Sequence, residues 1–190
     1  MRNMTRHFLS FGGLTLGAML LLAKTPPQFR VCDGTYALCT TATCKDKGGS
    51  FFSCTCNVME GLSAGGYSQE CLYVPKVKPA EGVWIPSRYY PIKSYLECPI
   101  KGEKPRAWAF CLDSPCVIEK GKTTADCICG KSNMAPYVYV TDTYSPAGCE
   151  SENISSATVA GVEAITQFLS TSPLKPLTIT VLPPPPPPVQ

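Results

Sequence analysis

"YALCTTATCKDKGGSFFSCTC", Tyr36–Cys56, and "WAFCLDSPCVIEKGKTTADCIC", Trp108–Cys129, are the stretches on which the fold turns. Each holds four cysteines in one pattern: alanine, a large apolar residue, Cys, four residues, Cys, nine or ten residues, Cys, one residue, Cys. Ala37-Leu38-Cys39 matches Ala109-Phe110-Cys111, and the four cysteines recur at offsets of 72, 72, 73 and 73 residues. So constant an offset predicts two copies of one structural unit, with a single-residue insertion between Cys116 and Cys127. An outer cysteine flanks each copy on either side. Cys32 to Cys98 is offset by 66 and Cys71 to Cys149 by 78, the drift that length changes in surface loops produce. The twelve cysteines thus form two sets of six: Cys32, Cys39, Cys44, Cys54, Cys56 and Cys71, then Cys98, Cys111, Cys116, Cys127, Cys129 and Cys149.

Three chemistries compete for these sulfurs. Structural disulfides fit an even count at repeated spacings on an exported chain. Two units of about 60 residues each bury only about 60% of the surface their unfolded chains expose, so covalent help is needed. Metal binding is suggested by Cys54-Thr55-Cys56 and Cys127-Ile128-Cys129, where both sulfurs of a strand share a face and soft thiolates suit copper(I) or zinc. These two pairs have a single residue between their sulfurs, however, where the usual zinc spacing is two to four. Redox catalysis needs an electropositive, partly exposed thiol, and no cation adjoins either Cys-X-Cys pair. The expectation is therefore a set of six disulfides and no metal or cofactor. Their connectivity stays open, since six cysteines allow about 15 pairings within one unit.

Thr55 and Ile128 are β-branched and favour strands. Lys45–Ser50 and Glu119–Lys122 read as turns that join each middle cysteine segment to its Cys-X-Cys strand. Each unit is then expected to be a small β-rich body built on a hairpin.

The N-terminus places Arg2 and Arg6 before about fifteen mostly apolar residues, closed by Ala23 and Lys24-Thr25-Pro26-Pro27. That layout predicts a cleaved signal peptide over residues 1–23, because the apolar run is shorter than the roughly 20 residues of a membrane span. An uncleaved anchor is the alternative. Of 17 basic residues, removal of Arg2 and Arg6 leaves 15 against 14 acidic ones, so the net charge is +1. No basic field for nucleic acid is present. The single histidine is His7, inside the predicted signal. Histidine-dependent hydrolases, histidine-bearing zinc sites and metalloprotease motifs are thereby excluded for the mature chain. The expectation is that the protein is not an enzyme. A carboxylate-dependent hydrolase of surface polymers would need two facing acids, and no pair stands out in the sequence.

Between the repeats runs a proline-rich segment, Val74–Pro79, followed by Val83-Trp84-Ile85-Pro86 and Ser87–Pro91. Trp84, Tyr89, Tyr90 and Tyr95 are the candidate ligand-binding residues, an aromatic surface for a sugar or a peptide. The alternative is that they pack the repeats together. Pro136–Val140 alternates in type and predicts a strand. From Ser156 to Leu169, Val159, Val162, Ile165, Phe168 and Leu169 recur at helical spacing, so a helix is predicted that docks on its own core. Leu177–Val181 looks like a strand, and Pro183–Pro188 are six consecutive prolines with polyproline II geometry. Asn153-Ile154-Ser155 fits a glycosylation acceptor.

The sequence therefore predicts a small disulfide-rich, mainly β protein of two tandem six-cysteine repeats, followed by a short helix and a proline-rich tail. The segments are a signal at 1–23, repeats at 24–79 and 80–150, a helix and strand at 151–182 and a polyproline tail at 183–190. The functional expectation is a secreted or periplasmic binding or structural module with a protein or polysaccharide partner, no nucleic acid and no membrane span in the mature chain. The rival is a thiol-based metal or redox protein using Cys54, Cys56, Cys127 and Cys129.

Overall fold

The computed structural model describes residues 29–66, 68–72, 79, 81–89, 92, 94–99, 104–151, 153–171 and 180–182. The signal segment 1–23, Val74–Lys78 of the linker, Tyr90, Pro91, Leu177–Ile179 and the proline run Pro183–Pro188 lie outside the described residues.

The first half of the chain forms β1 (Phe29–Leu38), β2 (Cys44–Asp46) and β3 (Phe51–Gly66). The β2–β3 turn holds Gly48 and Gly49 at φ of 79° and 59°, a left-handed pair that only glycine adopts freely. Asp46 Oδ1 accepts from Gly48 N at 2.8 Å and fixes the turn. In the second half β6 (Trp108–Phe110), β7 (Pro115–Ile118) and β8 (Thr124–Ser132) follow, with Gly121 at φ 80° in the corresponding turn. Both predicted hairpins onto the Cys-X-Cys strands are therefore present.

The strand registers of the two halves coincide under the offsets seen in the sequence. Leu38 lies opposite Asn57, as Phe110 lies opposite Gly130; Cys44 lies opposite Cys54, as Cys116 lies opposite Cys127. β3 and β8 then pair antiparallel with each other, Cys54 opposite its counterpart Cys127.

The linker completes this sheet. β4 (Val83–Pro86) pairs with β7, placing Ile85 opposite Cys116. Just beyond it, Ser87 bridges Ala37 of β1, and Tyr89 exchanges two 2.8 Å backbone bonds with Ala64 of β3. The path β1–β3–β8–β7–β4 is thereby joined into a ring by the single Ala37–Ser87 bridge. Its inside holds Ala37, Phe52, Ile85, Ala109, Ala125 and the four inner pairs of cysteines. Strand alternation explains the filling: Cys54, Cys56, Cys127 and Cys129 turn inward and are buried, whereas Thr55 and Ile128 turn outward. Over this core Lys131 Nζ lies 5.1 Å from the centre of the Phe52 ring and 2.5 Å from Asp46 Oδ2, which ties β8 of one half to β2 of the other.

A second sheet has the order β11–β5–β9, from Thr180–Val181, Ser94–Cys98 and Tyr137–Val140. The predicted strand at Pro136–Val140 is β9. The short helix α1 (Ala147–Glu150), the two-residue β10 (Ser155–Ser156) and α2 (Val159–Ser170) complete the chain. α2 starts three residues later than the periodicity suggests, because Ser155 and Ser156 pair with Ala109 and Phe110 of β6 before Thr158 caps the helix. Thr158 Oγ1 accepts from Gly161 N at 3.0 Å. Val159 and Val162 pack with Tyr95, Val138 and Ala157 of the second sheet, and Ile165 and Leu169 pack with Ala64 of the first. The helix therefore docks on its own core and bridges both sheets. Among the described residues no helix is long and apolar enough to cross a membrane.

Candidate functional site

All twelve cysteines are paired and none is free. Within each set of six the bridges are nested: Cys32–Cys71 outside Cys39–Cys56 outside Cys44–Cys54, and Cys98–Cys149 outside Cys111–Cys129 outside Cys116–Cys127. The innermost bridges join directly opposed residues of a hairpin, with Cα atoms 4.0 Å apart in both halves. The middle ones reach from the end of β1 or β6 to the second sulfur of the Cys-X-Cys strand, at 4.6 Å in both. The two sulfurs of each Cys-X-Cys therefore share a face and take different partners. At the centre Cys39 Sγ lies 3.6 Å from Cys127 Sγ of another bridge. Two sulfur triplets, Cys39/Cys111/Cys129 and Cys39/Cys56/Cys127, lie within 4.8 Å, the crowding of a thiolate site. As disulfides these sulfurs carry no thiolate charge for a metal.

Beside the sulfur core stands Arg88, a charged residue only 2% exposed. It pairs with Asp113 Oδ1, and its Nη2 donates to Glu70 O at 2.9 Å and Cys71 O at 3.1 Å. Asp113 Oδ2 accepts from Gly66 N at 2.8 Å. The guanidinium thus fastens the end of β3 and the Cys71 loop of the first half to the β6–β7 loop of the second. Burial pushes the Asp113 carboxyl above its ordinary value against the opposing pull of the Gly66 N–H and Arg88, and it pulls Arg88 below its own. In both, loss of solvation outweighs attraction.

Between the two sheets a small cleft, with room of about 30 Å³, lies above Cys39 and Cys111. Thr40, Thr41, Tyr89, Ile92, Val140 and Ser156 line it with hydroxyls and aliphatic walls, and a space of this size holds a water or two and not a drug-sized ligand. Ser155 Oγ accepts from Ala42 N at 2.8 Å and donates to Cys39 O, so that hydroxyl is spent on structure. The Tyr89 hydroxyl is buried without a partner among the described residues, and burial holds its pKa far above the ordinary value.

The structure disperses the predicted aromatic set. Tyr89 lines the cleft; Trp84 is half-buried on β4 opposite Val117; Tyr95, 3% exposed, packs with Val138 and Val162; Tyr90 lies outside the described residues. The hydroxyls of Thr40, Thr41 and Ser156 and the Arg88–Asp113 pair carry no sequence signal, because residues from five separate segments meet there only once the ring has closed.

A second apolar feature lies on the outer face of the ring. Phe51 of β3 and Phe110 of β6 both sit opposite Gly130 of β8, on either side of it, and are 54% and 41% exposed. Ile128, 44% exposed, lies on the same face two residues along β8. At the other end Trp108 is buried, its ring 6.2 Å from Phe110 and stacked 6.0 Å from Tyr137. No known family, curated protein or solved structure matches the chain.

Proposed function

We propose that this chain is an exported, disulfide-stapled binding or structural module that acts outside the cytoplasm and carries out no catalysis of its own. The observation that carries the reading is the pairing of all twelve cysteines in two nested sets. Disulfides of this density persist in oxidising compartments. The two nested sets are two copies of one unit, fused so that Cys54 and its counterpart Cys127 lie on a pseudo-two-fold axis. Coincidence of the strand registers under a fixed offset supports this. Residues 1–23 serve as the export signal. Histidine only at position 7 favours binding over hydrolysis. The partner is a protein or polysaccharide of a surface, taken up on the outer face of the ring.

The test is the intact mass of the secreted protein with alkylator present, before and after reduction. The expected result is no modification before reduction, twelve alkyl groups after it, and an N-terminus after residue 23. Four or more reactive thiols in the unreduced protein would overturn the reading in favour of a thiol-based metal or redox protein.

A further inference from the structure

The outer face of the ring carries an open aromatic slot. The slot runs along β8: Ile128, Gly130 and Ser132 form its floor, Phe51 stands on one side and Phe110 on the other, and the buried Trp108 closes the Ser132 end. Two strand spacings separate the walls by about 10 Å, and the floor from Ile128 to Ser132 is about 13 Å long. Gly130 leaves the middle open, since a Cβ there would meet only the Phe110 carbonyl at 3.9 Å. Phe51, Ile128 and Phe110 make the middle of this stretch apolar, with Lys45 on the strand beyond the Phe51 wall and Asp126 beyond Ile128 at its edges, so the middle of the slot suits flat apolar rings.

The described chain ends at Leu182, on the side of the Trp108 cluster. β11 runs parallel to β5, Thr180 beside Ser94 and Val181 beside Tyr95, and Leu182 N donates to Tyr95 O at 2.9 Å. It is therefore heading toward Cys98, which lies opposite Tyr137, the residue stacked on Trp108. Leu182 itself packs against the cluster that contains Trp108 and Tyr137. As polyproline II, six prolines would span about 19 Å, of which about 12 Å would remain for the floor once two of them had passed the level of Cys98, and proline-rich helices dock on aromatic-walled grooves with little entropy lost.

We propose that the aromatic slot of Phe51, Gly130 and Phe110 is a polyproline-binding site and that the chain's own Pro183–Pro188 occupies it. This deepens the reading of a binding module and rests on it: proline-rich extended peptides are the ligand class, and the tail is a built-in competitor. The two readings fail separately, because alkylation reports the staples and ring contacts report the slot.

The experiment uses the full oxidised chain, a full-length variant with Pro183–Pro188 all replaced by serine, and the same variant carrying F51S and F110S. The probe is the synthetic peptide LPPPPPPVQ, followed by NMR of labelled phenylalanine rings. In the native chain, contacts from proline Hδ to the Phe51 and Phe110 rings are expected at every protein concentration. The serine-tail variant is expected to bind the peptide with shifts at Phe51 and Phe110 but not at Phe29 or Phe168. The native chain should bind it about tenfold more weakly, and the triple variant not at all. Equal binding by the native and serine-tail chains would overturn the proposal, as would binding by neither. Proline contacts that appear only as the chain dimerises would assign the occupant to a second copy and overturn the intramolecular assignment. All variants change exposed or tail residues, and an unchanged count of six disulfides checks their folding.

Discussion

Removing the Cys98–Cys149 bridge by C98A/C149A tests whether the outer staple fastens α1 to β5 and holds the second sheet in shape. The bridge closes a separation of 51 residues, for which loop-closure entropy gives about 4 kcal/mol. Both cysteines are buried, at 0% and 2% exposure, in the cluster of Leu96, Trp108 and Tyr137. Loss of two sulfur atoms there adds about 1 kcal/mol each. The sum, about 6 kcal/mol, falls on β5, β9 and α1, while the four inner bridges of the ring remain. Urea unfolding followed by two probes separates the effects. Near-UV circular dichroism, which senses the Trp108–Tyr137 stack, should lose its signal at lower urea than the far-UV signal of the ring. A single coincident transition shifted by less than about 2 kcal/mol would refute the assignment, since it would mean that the bridge constrains neither the second sheet nor the unfolded chain.

Three further perturbations address other contacts. D113A leaves Arg88 buried without its carboxylate and should cost about 3 kcal/mol in urea unfolding. It should also change the acid profile. The folded-state pKa of Asp113 is raised, so the folded form holds its proton longer, and stability should fall as pH rises from the ordinary value of 3.8 through the folded value; D113A should lack that slope. G82A should cost about 2 kcal/mol or more, because Gly82 has φ 88° and a new Cβ would lie 2.3 Å from Ile118 O, whereas G121A, at φ 80° in open space, should cost only about 1 kcal/mol; thermal melts of the pair compare them. T158A removes the acceptor of Gly161 N and should cost about 1 kcal/mol, with faster amide exchange confined to the first turn of α2.

Local and repeated features were legible in the sequence. The spacing of Cys39, Cys44, Cys54 and Cys56 and its recurrence carry the hairpins, the turn at Gly48-Gly49 and the inward set of sulfurs, because each depends on neighbours within one hairpin. The helix from Val159 follows from its apolar stripe. Its start was shifted by β10, a pairing with β6 that only tertiary structure supplies. Closure of the ring through β4 was not legible, since Val83–Pro86 meets β7 across about thirty residues and proline-rich surroundings suggest a spacer. Tyr95 and Leu96 are adjacent yet both buried, because α2 covers one face of β5 and the Trp108 cluster the other. Period-two reading fails on such a strand, so an inward tyrosine resembled a surface one. The Arg88–Asp113 pair joins single residues from distant loops and leaves no pattern at all.

The nested bridges have a covalent consequence. Every disulfide closes within residues 32–71 or within residues 98–149, and none crosses between them. The peptide from Cys71 to Cys98 is the sole covalent tie between the halves, although β3 with β8 and β4 with β7 weld them into one sheet. A single cut by a protease in that stretch would therefore leave a nicked protein whose pieces, each internally locked, stay together only through a hydrogen-bonded seam and a shared core. By the same logic, two chains that exchange halves would make every native contact without breaking one sulfur bond.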